Sequence, residues 1–519
     1  MKSATRRVLC VLAAVVMLVL QAASAAAEVN YPIDTDVTLT YWLPIQGNAA
    51  KHMTSYNDHE IYKLISENTG IKVEFQNSST SDAATQLSLI VAGGELPDIL
   101  QIRSYYPGGA DAGVSEGIFA DLTPYIQEYA PDYWKAICSN DLCYRLATDA
   151  NGHINCFYTI KVTAPPYRRM NVLQEVMDEY GFDTPITLAD YEVMFEKLAK
   201  DGIAGLCLSS NGRESILMWP YGITDGWMLD ENGAVAYGMY TEAYKEYLTM
   251  MHDWYTKGYI YKDFMTSRTM AEAFALLTNK KVFIVANPVD LANSACVAAG
   301  VTCVPFPYVR KEAGQHLHFE VTSNELMPEA GFANTVVSAS SEHIKEAVMY
   351  LNYCYTQEGA DLCNYGVENV HYTVNADGTK TFTDYMLNNP DVPRGETQMV
   401  FKLHTQPKLA DPDVLCNPNV VADEYSLEIR KRYGDDTTID SAQVLPSFTM
   451  AAEASEERSD IMKDINTYVD EMTLKFITGV TSLDEYDAYM AQLQTMGIED
   501  AIAITQSQYD AFMSKPGLE

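Results

Sequence analysis

The sequence predicts an α/β protein built as two lobes. Residues Val37 to Ile102 read as strand, helix, strand, helix, strand. A second buried strand, Lys281 to Ala286, follows helical stretches far down the chain. A length of 519 residues also exceeds what one hydrophobic core organises.

Within the first unit, Val37, Leu39 and Tyr41 alternate with Thr38, Thr40 and Trp42, which predicts a strand. Asn57 with Glu60 reads as a capping box for a helix carrying Ile61, Leu64 and Ile65 and ending at Gly70. Ile71, Val73 and Phe75 form the next strand. A helix follows, capped by Ser81 or Asp82, with the stripe Leu87, Ile90 and Val91 and a stop at Gly93-Gly94. Parallel strands joined by helical crossovers carry their binding loops at the strand C-terminal ends. The segments 42–48, 76–82 and 103–109 should therefore share a rim, with Trp42, Asn48, Tyr105 and Tyr106 as ligand-binding candidates and Asp98 beside them.

The runs Glu67-Asn68-Thr69-Gly70-Ile71-Lys72-Val73-Glu74-Phe75 and Leu89-Ile90-Val91-Ala92-Gly93-Gly94-Glu95-Leu96-Pro97-Asp98-Ile99 resemble the extracellular solute-binding proteins of bacterial sugar ABC importers. The branch is the one that includes lipoprotein-like and aldouronate-type components. Similar likeness recurs at Gly117 to Ile126, Leu217 to Trp227, Gly359 to Thr373 and from Phe476 to Tyr509. It implies a periplasmic-binding-protein type II-like fold, two α/β lobes joined by a multi-strand hinge. The N-terminal lobe is expected at 28–162 plus 331–372 and the C-terminal lobe at 163–330 plus 373–519, with a third crossing near Asn369 to Tyr372. It implies a monomeric binding protein without catalysis or cofactor, which hands an oligosaccharide, a uronate-bearing one included, to ABC permease subunits.

Composition narrows the partners. Lys and Arg number 35 against 70 Asp and Glu, a net charge of −35. Such a surface repels nucleic acid and anionic lipid, so neither is an expected partner. Residues 1–27 read as a cleaved signal: Lys2, Arg6 and Arg7 precede the apolar run Val8 to Leu20, and Ala23-Ser24-Ala25 and Ala25-Ala26-Ala27 offer small residues for cleavage. Cys10 lies inside the apolar run rather than after it, which is not a lipobox, so export without a lipid anchor is expected. Of the remaining cysteines, Cys138 with Cys143 and Cys296 with Cys303 are spaced to close short loops, and buried thiols are the default.

Downstream, Arg168-Arg169-Met170-Asn171 is expected to open a helix carrying Val172, Val176 and Tyr180, after a stiff Ala164-Pro165-Pro166. Arg168 there suits a uronate carboxylate. Thr187 with Asp190 and Thr269 with Glu272 cap further helices. The stretch Leu217 to Trp227 holds Trp219, Tyr221 and Trp227 on a loop broken by Gly222 and Gly226. Sugar rings lay apolar C–H faces on aromatic rings, so these three join the site. Trp254 instead falls at helical spacing with Tyr247, Leu248 and Met251 and reads as core. Asn287 and Asp290, just past a buried strand, complete the set as hydroxyl binders.

Other motifs carry bland readings. Gly113-Val114-Ser115-Glu116-Gly117 matches a nucleophile elbow without the strand such a turn needs. Asp230-Glu231-Asn232-Gly233 has part of a calcium loop and reads better as a turn. His316, His318 and Glu320 alternate as a metal trio would, or as an ordinary polar strand face. The rival from another class is an exported glycoside hydrolase, which needs two carboxylates at close range, one with a raised pKa.

Overall fold

The computed structural model describes residues 28–518 except 48, 150, 164–167, 267–268, 320–322, 330, 393, 412–413, 415–435 and 516. The stiff Ala164-Pro165-Pro166 stretch, Asn48, Glu320 and Cys416 lie outside the described residues, as does the signal segment.

Two four-stranded sheets organise two lobes, each around its own main hydrophobic core. The N-terminal sheet runs in the order Thr335–Val337, Ile99–Gln101, Thr38–Trp42, Lys72–Gln76. Thr38–Trp42 is parallel to both neighbours, while Thr335–Val337 pairs antiparallel with Ile99–Gln101. Both faces of this sheet are covered. Leu39, Tyr41, Ile99 and Val337 enter one core, and Trp42, Leu100 and Val336 enter another with Leu87 and Phe119.

Local chemistry sets the crossovers. The helix Glu60–Thr69 starts at His59, whose Nδ1 accepts from the Ile61 N–H at 3.3 Å, and ends on Gly70 at φ 74°. Asn57, expected as the cap, instead grips the Phe75 backbone, donating to its carbonyl at 3.0 Å and accepting from its N–H at 2.8 Å. The Gly113 to Gly117 stretch lies on the short helix Gly109–Ser115 and the turn after it, with no strand before it, so no nucleophile elbow exists there. Gly113 is small for a packing reason, because a Cβ there would come 2.1 Å from the Phe119 ring.

The C-terminal sheet runs Cys303–Pro305, Arg168–Leu173, Val282–Pro288, Ala204–Cys207. Arg168–Leu173 is thus a strand, antiparallel to both neighbours, and the helix begins only at Gln174. The expected capping boxes at Thr187/Asp190 and Thr269/Glu272 are both formed. Trp254 is fully buried, its ring edge-on to Phe195 at 5.2 Å and its indole N–H donated to Glu192 at 3.0 Å. The helices Ala452–Thr478, Tyr486–Thr495 and Ile498–Met513 pack on this core through Ile465, Val469, Phe476, Leu493 and Ile498.

Three chain segments meet between the lobes. Ile160–Thr163 pairs antiparallel with Ser323–Pro328, and Ile160 also bonds Lys408 and Ala410 through its backbone. The third crossing therefore lies after 408–410, not near Asn369 to Tyr372. Residues 373–411, expected in the C-terminal lobe, pack on the N-terminal one: Leu403 enters its core, and the Gln406 amide oxygen accepts from Tyr41 and Tyr62. The hairpin Tyr372–Val374 with Lys380–Phe382 forms a small cluster on the same lobe through Tyr365. The eight described cysteines after the signal segment form no disulfide with one another, so the 138/143 and 296/303 loops are not closed by disulfides.

Candidate functional site

The carboxyl ends of the parallel strands define a rim on each lobe. On the N-terminal lobe, Arg103 follows Ile99–Gln101 with φ 43°, a left-handed backbone rare for a non-glycine residue. That twist turns its guanidinium over Tyr105 at 5.7 Å and over Phe332 at 5.2 Å. Phe332 in turn meets His404 at 5.1 Å. The rim thus gathers half-buried Tyr105, Arg103 and Phe332 from two chain segments, and the Asn334 carbonyl fastens them by accepting from the Ile102 and Arg103 N–H groups.

On the C-terminal lobe, the ends of Ala204–Cys207 and Val282–Pro288 and the start of Arg168–Leu173 share one edge, since Arg168 pairs with Pro288. A hollow of about 180 Å³ opens there, lined by Arg168, Ser209, Ser210, Glu214 and Asn287 among others. Glu214 is its electrostatic centre. The residue is 2 % exposed; its Oε2 accepts from Arg168 Nη2 at 3.2 Å, and its Oε1 is buried with no partner. Burial drives its carboxyl up to about 7, against the opposing pull of Arg168, whose own side chain is 49 % exposed and so screened by solvent. Arg168 also donates to the Ala286 carbonyl through Nε at 3.1 Å and Nη2 at 3.0 Å.

A second hollow, about 630 Å³, is lined by Arg213, the residue before Glu214. Trp227, Tyr237 and Met239 from the hairpin segment form its apolar wall, facing Arg458, Met462, Lys463 and Asn466 of the helix Ala452–Thr478. Trp227 and Tyr237 rings stand 5.2 Å apart, Arg458 sits 5.6 Å from the indole, and the Tyr237 hydroxyl donates to Asn466 at 2.9 Å. Arg213 closes the floor, held by Asp225 and Asp470. The turn at Asp230 to Gly233 is what creates this wall: Asp230 Oδ1 accepts from the Asn232 and Ala234 N–H groups, closing the hairpin Trp227–Leu229 with Val235–Tyr237. The Asp230 to Gly233 stretch thus forms the turn that its sequence suggests.

The sequence-derived candidates divide clearly. Arg168 and Asn287 line the smaller hollow, Trp227 lines the larger, and Tyr105 stands on the N-terminal rim. Tyr106 is partly diverted, its hydroxyl donated to Glu116 and its ring packed on Phe119 at 4.9 Å. Trp42 is 3 % exposed, because the second face of its sheet is core rather than rim. Asp98 sits at the start of its strand, the end away from the rim, and accepts from the Thr40 N–H and hydroxyl at 2.8 Å and from Ser341 at 2.6 Å. Tyr221 points into packing, its hydroxyl on Met250 Sδ at 3.2 Å and Lys311 over its ring. Trp219 stacks edge-on with Tyr308 at 4.7 Å and lines neither hollow. Asp290 begins the helix Val289–Ala299, and its side chain lies outside the described part. Glu214, Tyr237, Arg458 and Arg103 were not legible as site residues. Only Glu214 left a signal, an acid directly ahead of the apolar run Ile216 to Trp219.

Residues 60–363 match the family described as bacterial extracellular solute-binding protein. The chain is 27 % identical over 218 residues to a carbohydrate ABC transporter substrate-binding protein of Streptococcus pneumoniae, an alignment spanning 40 % of this chain and 42 % of that protein. It is 22 % identical over 431 residues to the polygalacturonan/rhamnogalacturonan-binding protein YtcQ of Bacillus subtilis, spanning 79 % of this chain and 80 % of that protein. The fold is similar to the crystal structure of an extracellular solute-binding protein from Bifidobacterium longum subsp. infantis, with TM-score 0.75 and 17 % identity over 92 % of this chain and 99 % of the other. The two lobes and their multi-strand hinge are therefore a type II periplasmic-binding fold.

Proposed function

We propose, from the premise that this chain belongs to the bacterial extracellular solute-binding proteins, that it is the substrate-binding component of an ABC importer for an oligosaccharide. The observation that carries the sugar reading is the larger hollow. Its size falls within the range of small-ligand sites, and it pairs an aromatic platform, Trp227 and Tyr237, with polar groups of Arg213, Arg458, Lys463 and Asn466. Rings take the C–H faces of a sugar while the donors and acceptors take its hydroxyls. The same mixture of cations suits a glycan bearing carboxylates, a reading supported by the name of the Bacillus relative.

Binding drives transport by population shift. A sugar seated on the C-terminal lobe reaches Tyr105 and Arg103 of the facing rim only when the lobes are closed, so its differential affinity favours the closed form that a permease reads. The chain works as a monomer on the outer face of the membrane, as an exported member of this family would. No helix among the described residues is long and apolar enough to cross a membrane.

The family is one of binding proteins and not of enzymes, and the site agrees with capture better than with hydrolysis. Glu214 has the raised carboxyl of a general acid, yet among the described residues it is the one carboxylate lining its hollow, and it is bound to Arg168. Incubation of the protein with mixed acidic and neutral oligosaccharides, followed by mass spectrometry of bound and free fractions, is expected to return one retained glycan of unchanged length. Shorter products in the free fraction would favour the hydrolase.

A further inference from the structure

We propose that His316, His318 and Asp440 form a binding site for a divalent transition-metal ion such as zinc, away from the sugar site. Their ligand atoms all lie within 4.8 Å of one another, with His318 Nδ1 2.8 Å from Asp440 Oδ1 and His316 Nδ1 3.8 Å from Oδ2. The two imidazoles stack at 5.8 Å, as side chains two apart on one extended segment do.

Backbone bonds fix this arrangement. Leu317 is buried, its N–H is donated to the Thr438 carbonyl, and its own carbonyl accepts from the Asp440 N–H. The Gln443 N–H is donated to the His318 carbonyl, and Asp440 Oδ1 accepts from the Ala442 N–H at 2.9 Å. The segments carrying the histidines and the aspartate are thus held in register over a separation of 122 positions. Arg310, paired with Asp436 at 2.9 Å, fastens the same junction a few residues away.

Two imidazoles with one carboxylate are a borderline-soft donor set, which selects zinc-like ions over calcium or magnesium. Half-exposed side chains leave a fourth position for water. An ion there cross-links the two segments of the C-terminal lobe, and so raises its resistance to unfolding through binding to the native state.

The test is zinc chloride alone, titrated into the full chain by calorimetry and thermal unfolding, with calcium and magnesium chloride as comparisons. One saturable zinc site and a rise in the unfolding midpoint are expected, with no response to the harder ions. A His316→Ala/His318→Ala double variant should unfold at the parental temperature without metal and bind zinc at least about tenfold more weakly, and Asp440→Asn should weaken it too. Absence of a zinc response in the parent, or an equal response in the double variant, overturns the proposal.

Discussion

Trp227→Ala is expected to weaken oligosaccharide binding by about 1–3 kcal/mol, roughly five- to 150-fold in Kd, while leaving the fold intact. The indole is half-buried: one part packs on Tyr237 and the C-terminal core, and the rest faces the large hollow. Truncation removes the platform for a sugar face and also frees Arg458, which sits over the ring. Trp219→Ala is the matched control. That ring packs on Tyr308 outside both hollows, so its loss should lower the unfolding midpoint with little change in affinity. Calorimetric titration of both variants beside the parent separates the two roles. Equal affinities in the parent and Trp227→Ala would remove the larger hollow from the site.

The second large effect is on the pH dependence of stability. The Glu214 carboxyl ordinarily titrates near 4.5 and burial raises it to about 7 in the folded chain. Between those values the folded state holds a proton the unfolded state has released, so this residue's contribution is full below about pH 4.5 and is lost as pH rises through about 7. The lost contribution is on the order of 3 kcal/mol for a shift of this size. Glu214→Gln keeps the shape and removes the titration. Its stability relative to the parent, measured by denaturant unfolding, should therefore increase from pH 5 to pH 8, and a difference that stays flat across that range would contradict the assignment.

How much of this was legible in the sequence varies with the physics of each segment. The N-terminal unit could be read because Gly70 and Gly94 punctuate its helices and its strands alternate cleanly. Alternation alone misplaced Trp42: in a parallel sheet with both faces covered, the residue opposite the apolar set is buried as well. The same ambiguity made Arg168–Leu173 resemble a helix. A strand buried from Arg169 to Leu173 shows no period of two, and Val172, Val176 and Tyr180 happen to fall at helical spacing.

The third crossing was misplaced because the hairpin from Tyr372 to Phe382 reads as a departure, whereas Tyr365 anchors it to the N-terminal lobe and the chain leaves only after Lys408 and Ala410 bond Ile160. Arg458 was invisible because it lies on a 27-residue helix whose charged residues all look solvated. Its role comes from the hairpin that Asp230 turns toward it. Trp227, Arg168 and Asn287 line the two hollows and stand out in the sequence for plainer reasons, Trp227 as an aromatic on a glycine-broken loop, Asn287 as a residue just past a buried apolar run and Arg168 as a cation ahead of an apolar run.

The central claim is that two hinged lobes close on an unaltered oligosaccharide, and small-angle X-ray scattering of the chain with and without its recovered glycan tests it most directly. Saturation with the glycan is predicted to shrink the radius of gyration and to leave the sugar at its original length. A radius unchanged at stoichiometric binding, or recovery of the glycan as shorter fragments, would contradict it.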